Sequence, residues 1–508
     1  SANEVVYSIQ ASTTQTDYAT VHTYLCLPQD EYTVTLQGTN QYWASFSLLY
    51  ADVLYSPTER EVIFRSRYDG KLGISTASFS TKYPILPASQ WFYKMNEVPA
   101  NWFGSETSGW NMGAMGGFTG ATNQIQLYKQ TFTVSSLADV PGFVISLRYL
   151  YGCVIYLNGN EVFRNGVDGD LSTSSIGLNA YTNLIYHQIS LPAKTIAVGE
   201  TPAVNYLVEG ANPIAIAIIA QQASQTTSVF DCAVRLMTGS ESRVFDYSIS
   251  YSGINGSPTL ILNQYYSYTM YSSSCGTNYW TVTFSNDRRE WLSAVTVYLY
   301  YTQYEEHPRS FTVKARNTNL EEWTTIKEVT GMTWSLAGEH KKIWLENNKP
   351  YNQYRLENIA TGDASACSWK LSTLDLTADA TPASIPELSY STPLVITKGI
   401  EMGEVYANSD YYYDFTVSPA LPAGLSIDPN TGKISGMVNE MVAATTYQIT
   451  AKKYGGGSST ASVTISVEVC RGDKHLITLV ARMDGWPHEG SYKLFSGKGT
   501  SGQVVSSN

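Results

Sequence analysis

Apolar and polar residues alternate in short runs along most of this chain, and the runs are separated by clusters of Gly, Pro, Asn, Asp and Ser. Glu31-Tyr-Thr-Val-Thr-Leu36 is the plainest case: its strict alternation predicts a strand with one face covered and the other wet. Similar strands are predicted at Glu4–Ile9, Phe46–Tyr50 and Glu61–Arg65. Five more follow at Phe132–Val134, Phe143–Tyr149, Cys153–Arg164, Gly210–Ile218 and Phe230–Leu236. Asn158-Gly159, set between two apolar runs, predicts a type I′ hairpin turn, because both central residues of that turn need positive φ. The longest apolar run, Pro213 to Ala220, fits a buried strand and is far short of the ~18 residues of a membrane span. At the C-terminal end, Thr478–Arg482 and Ser491–Phe495 read as a hairpin across Gly485–Gly490. A lone hairpin is marginal in water, so this one is expected to pair elsewhere.

Composition supports an all-β chain. Tyrosine (38) far outnumbers phenylalanine (15), charged residues make up 15 %, and no long charge-rich amphipathic stretch occurs. With 508 residues the chain exceeds one hydrophobic core, so roughly three to five domains are expected. The net charge of −11 is spread evenly, without a basic block, which argues against nucleic acid as a partner. The start at Ser1-Ala-Asn-Glu, without Met, suggests a processed product.

Few residues suggest chemistry. There is no Gly-x-Ser-x-Gly turn, and the histidines at 22, 187, 307, 340, 475 and 488 are scattered, so no catalytic residue is assigned and the chain is read as non-enzymatic. Glu305-Glu306 and Glu321-Glu322 are carboxylate pairs that read as solvated loop ends. The loop Asn165-Gly-Val-Asp-Gly-Asp170 is oxygen-rich, which makes Asp168 and Asp170 weak candidates for calcium, the one cofactor considered; a polar hairpin loop is the plain alternative. Asn255-Gly-Ser257 is a glycosylation sequon followed by Pro258, and Arg471-Gly-Asp473 spells an adhesion tripeptide that also fits an ordinary turn. Tyr265-Tyr266, Tyr298–Tyr301 and Tyr411–Tyr413 suit sugar platforms, subunit contacts or plain packing.

Several stretches resemble known extracellular modules. His22–Leu36, with its Cys-Leu-Pro and Glu-Tyr-Thr, resembles the second half of a small secreted β-sandwich repeat, and Ser491-Tyr-Lys-Leu-Phe495 resembles the first half of that repeat. Val154-Ile-Tyr-Leu-Asn-Gly-Asn-Glu-Val-Phe-Arg164 followed by Gly210-Ala-Asn-Pro-Ile-Ala-Ile216 resembles galactose-binding-like jelly rolls. Tyr279–Phe284, His307-Pro-Arg-Ser-Phe311, Glu322-Trp323, Tyr354-Arg-Leu356 and Trp369–Asp375 resemble a discoidin (coagulation factor 5/8 type C) domain. Leu421-Pro-Ala-Gly-Leu-Ser-Ile-Asp-Pro-Asn-Thr-Gly432 with Thr446–Ala451 and Ser459–Val467 resembles immunoglobulin-like, cadherin-like repeats. In the turn Asp428–Gly432, Pro429 fixes φ, and Asn430 and Gly432 suit the left-handed region.

The expected architecture is a linear array of β-sandwich and jelly-roll domains. It runs 1–95 (half of a split sandwich), 96–238, 239–376, a linker at 377–386, 387–469, and a terminal hairpin at 470–508. Six cysteines without zinc spacing favour disulfides and an extracellular setting, with pairings Cys153–Cys232 and Cys275–Cys367. Cys26 and Cys470 then remain, one near each end, and are expected to join neighbouring subunits. The resulting expectation is a secreted, self-associating structural protein that polymerises head to tail by donating its terminal hairpin. A glycan-binding cell-surface adhesin is the alternative, and a non-catalytic piece of a larger secreted hydrolase is the third reading.

Overall fold

The computed structural model describes residues 26–38, 49–55, 61–68, 73–114, 125–178, 185–198, 200–221, 229–238, 247–262, 270–272, 277–299, 306–334, 340–361, 368–378, 385–454, 457–468, 493–495 and 504–507. They are almost entirely β. In the first module Glu31–Gly38 pairs antiparallel with Gly73–Ser80, and Leu49–Tyr55 pairs with Glu61–Tyr68.

The second module begins earlier than position 96. Gln90–Met95 is a full member of its six-stranded sheet, pairing with Ile125–Val134 and Asn111–Ala114, and Trp91 lies in the core. The sheet runs on through Gly210–Ile219, Gly152–Leu157 and Asn160–Asn165, and it faces a three-stranded sheet of His187–Pro192, Gly142–Tyr149 and Phe230–Leu236. Asn158 (φ 50°) and Gly159 (φ 78°) take the left-handed conformations that the turn demands. Gly210–Ile219 is apolar without alternation because both of its faces are covered. Ile214, Ile216 and Ile218 enter the core, while Ala215, Ala217 and Ile219 lie beneath Trp102 and Trp110 of the covering segment.

Cys153 and Cys232 lie in this core as free thiols, so the expected bond between them is not formed. They sit on opposite sheets, Cys153 beside Ile218 and Cys232 beside Leu147. A disulfide across facing sheets forms only where the two Cβ atoms point at each other about 3.5–4.5 Å apart, and Cys153 and Cys232 are left as thiols. Burial raises both thiol pKa values, which keeps the groups neutral and unreactive. Cys26 is an exposed free thiol; Cys275, Cys367 and Cys470 lie outside the described residues.

In the third module a five-stranded sheet, ordered Tyr247–Ser252, Tyr279–Phe284, Gln353–Ala360, Ser310–Arg316 and Thr324–Val329, faces His340–Trp344, Ala294–Tyr298 and Thr373–Thr377. Trp280, Trp369, Tyr351 and Tyr354 fill the space between.

The fourth module pairs Leu394–Thr397, Ser458–Glu468, Val442–Lys453 and Tyr412–Ser418 against a sheet of Glu401–Val405, Ile434–Met437 and Leu425–Ile427. Its Asp428–Gly432 turn differs from expectation in one detail. Gly432 alone of the two takes positive φ (70°), and the Asp428 carboxylate organises the turn by accepting the N–H groups of Asn430 and Thr431 at 2.8 and 3.0 Å. Gly424, at φ 97°, faces Gly436 so closely that an added Cβ would stand 2.0 Å from the Met437 carbonyl oxygen. Gly424→Ala is therefore expected to destabilise this module by about 2–3 kcal/mol, read as a lower urea midpoint; an unchanged midpoint would refute the close approach.

At the C-terminal end Lys493–Phe495 pairs with Val504–Ser507, and neither pairs with a strand of the first module. Thr478–Arg482 and the Arg471–Asp473 tripeptide lie outside the described residues. Among the described residues, no contact carries the expected hairpin donation.

The second, third and fourth modules pack against one another. Ser190 N–H donates to Arg289 O at 3.0 Å, and Arg289 N–H donates to Gln188 O at 2.9 Å, so the second and third modules join through backbone. Lys341 Nζ meets Asp428 Oδ2 at 2.6 Å between the third and fourth. One apolar cluster contains Ile196, Ala294, Trp344 and Tyr454 and so draws on all three modules.

Candidate functional site

Strand alternation in the third module sends Trp280, Val282, Tyr354, Leu356, Val313 and Ala315 into the core. The intervening side chains face outward. Register then places Arg355 between Thr281 and Lys314, Gln353 beside Arg316, and Glu357 beside Tyr279. Trp323, just ahead of Thr324–Val329, leans over this face. The result is a stack of planar groups drawn from three strands and the loop ahead of a fourth. The Arg355 guanidinium lies 4.0 Å from the Tyr279 ring and 4.1 Å from the Trp323 ring, and the Arg316 guanidinium lies 4.2 Å from the same indole. Each such contact contributes about 0.5–1 kcal/mol where water is near.

Hydrogen bonds fix the two guanidiniums. Arg355 Nε donates to Thr281 Oγ1 at 2.9 Å. Arg316 donates to Gln353 Oε1 and Asn319 Oδ1 at 2.9 Å each, and to the carbonyls of Asn319 and Glu321. Glu357 is the carboxylate of the face, 2.5 Å from Lys314 Nζ and 3.9 Å from Arg355. Glu321 spends its carboxylate on the Asn317 N–H. Burial lowers the Arg355 pKa and the neighbouring Arg316 adds to that, while Glu357 and Tyr279 oppose it. Chemically, this face offers rigid planar donors beside aromatic rings. That suits binding rather than bond-making.

The residues singled out by sequence lie elsewhere. Asp168 and Asp170 are exposed, and the loop carbonyls of Gly169 and Val167 accept Arg164 Nη1, itself held by Glu161 at 2.6–2.7 Å. Among the described residues no group of three or more His, Cys, Asp or Glu could hold a metal ion. Asn255 is exposed on a two-residue strand, open to a sugar. His187 and His307 are buried in different modules, and His340 stacks on Tyr298. Glu306 pairs with Lys370 at 2.6 Å. Tyr411 stacks on Trp344, Tyr412 is buried and Tyr413 lies under Lys327, so this tyrosine run packs inside the chain; Tyr265, Tyr266, Tyr300 and Tyr301 lie outside the described residues. Sequence reasoning missed the Trp323 face, although alternation around Tyr279-Trp-Thr and Gln353-Tyr-Arg already turns Tyr279 and Arg355 away from the core.

Comparison with solved structures returns carbohydrate-binding and discoidin-type modules. The family 32 CBM from C. perfringens NanJ in complex with galactose is 10% identical, over 26% of this chain and 92% of that one, with a TM-score of 0.21. The F5/8 type C domain of a Bacteroides fragilis protein is 16% identical, over 27% and 99%, with a TM-score of 0.21. A fucolectin from striped bass (Morone saxatilis) serum is 10% identical, over 51% and 83%, with a TM-score of 0.24. No curated protein matches. Residues 375–468 match the family model described as "Putative Ig domain", which bears out the immunoglobulin-like reading of this region.

Proposed function

We propose that the chain is a secreted, non-catalytic protein that binds carbohydrate through the third module. The observation that carries this reading is the Tyr279–Arg355–Trp323–Arg316 stack, an aromatic and guanidinium surface built from three strands and a loop on the outer side of the sheet. Sugar rings offer apolar C–H faces for aromatic contact and hydroxyl acceptors for fixed N–H donors, so such a surface matches both halves of a pyranose. The immunoglobulin-like module, packed against the third, holds this face at a set angle.

A glycan array probed with the whole chain tests the proposal. Trp323→Ala is expected to weaken the glycans bound by roughly tenfold, the equivalent of ~1.4 kcal/mol, while the thermal midpoint stays within about 2 °C because the ring is only partly buried. Undiminished binding by the variant would remove this face from the mechanism. An array with no bound glycan would remove the function.

A further inference from the structure

The charge on the same face identifies the class of sugar. The inference rests on the carbohydrate-binding reading above and goes further by naming the ligand chemistry. Lys314, Arg316 and Arg355 stand on two adjacent strands, and Glu357 is the carboxylate that touches any of them. Arg316 is held entirely by neutral acceptors, the amides of Gln353 and Asn319 and two backbone carbonyls. Arg355 has a threonine hydroxyl at hydrogen-bond distance and its carboxylate at 3.9 Å. Glu321 and Glu328 stand at the margins of the face, Glu321 bonded to the Asn317 N–H and Glu328 opposite Thr312, so Arg316 is a guanidinium without a carboxylate among its described partners. Cations set side by side cost free energy unless an anion relieves them.

Glu357 shows what the missing anion resembles. Its two oxygens lie against Lys314 and Arg355 as those of a bound uronate would, so the protein carries an internal carboxylate in part of the site. Arg316, one position further along the strand and stacked on Trp323, lacks an equivalent. Four of its five N–H groups are bonded within the protein, and a guanidinium donates the remaining one more strongly to a carboxylate or sulfate than to a neutral acceptor. We propose that this face binds an acidic polysaccharide, its carboxylate or sulfate groups seated on Arg316 and Arg355 and its sugar rings against Trp323.

Calorimetric titration of the whole chain with a galacturonate oligomer, a sulfated galactan and a neutral galactan of equal length tests this. At low salt one of the acidic probes is expected to bind at least about tenfold more tightly than the neutral one, and the gap is expected to shrink as salt screens it. Arg316→Gln and Arg355→Gln should each remove most of that gap. Glu357→Gln should widen it a few-fold, by withdrawing the internal competitor; that gain cannot come from a damaged fold. Equal affinity for acidic and neutral probes would overturn the acidic assignment and leave the glycan reading standing. Binding confined to a DNA oligonucleotide or to phosphatidylserine vesicles, or to none of these probes, would overturn both.

Discussion

Lys341→Ala is expected to cost about 3–5 kcal/mol, the largest effect of any single change at the module junctions. The ammonium and the Asp428 carboxylate are buried to 0% and 1% exposure and meet at 2.6 Å. Removing the cation leaves an anion out of water with the Thr333 hydroxyl, at 2.8 Å, and the turn N–H groups as partners. Asp428→Asn tests the other side, since an amide keeps an acceptor for the turn but withdraws the charge that faces the buried ammonium. Replacing both by apolar residues of similar volume is expected to recover most of the loss, because the desolvation of two charges disappears with them. Urea melts of the three proteins report this, and a loss below about 1 kcal/mol for Lys341→Ala would show that water reaches the pair. The pair also sets a pH limit. Burial pushes the Asp428 carboxyl upward, but Lys341, the Thr333 hydroxyl and the Asn430 N–H outweigh it, so the folded pKa lies below the ordinary aspartate value of about 3.9. A carboxyl whose folded pKa is depressed contributes its stability above the unfolded value and loses it as pH falls through the folded one. The junction should therefore hold at neutral pH and weaken only in strong acid.

Trp344→Ala is the second large effect, at about 3–5 kcal/mol. The ring stacks on Tyr411 and Tyr454 at centroid distances of 4.9 and 4.4 Å, carries Lys342 Nζ at 4.3 Å, and donates its indole N–H to the Asp410 carbonyl. Deleting it opens a cavity where Ile196 and Ala294 also end, so the second module loses contact together with the third and fourth. Trp344→Phe keeps the stacking and drops the donor, for about 1 kcal/mol. Small-angle scattering should show a broader distribution of module orientations for the alanine variant than for the phenylalanine one; identical curves would mean that the cluster does not hold the modules in place.

The features legible in the sequence are those decided locally. The Asn158-Gly159 turn needed only two residues, and the strands at Phe143–Tyr149 and Ser459–Val467 needed only their own patterns. The features that escaped depend on chain returning from far away. Lys341 and Asp428 are 87 residues apart, and each alone reads as an ordinary surface charge. Tyr279, Arg316, Trp323 and Arg355 belong to separate strand motifs in the sequence, and only antiparallel pairing brings them to one face. An even number of cysteines suggested bonds, but Cys153 and Cys232 stand in one core as free thiols. The limit at residue 95 failed because Gln90–Met95 looks the same whether it closes one sheet or opens the next.

Arg289 and its backbone exchange with Gln188 and Ser190 carry a practical consequence for anyone dissecting the chain. A fragment cut before residue 239 would lose Trp291 from the core of the second module, and one cut after residue 376 would take Asp428 away from Lys341. Neither cut is neutral. A sugar-binding result from an excised piece would report the wound as well as the site, whereas point substitutions in the whole chain leave these shared walls standing.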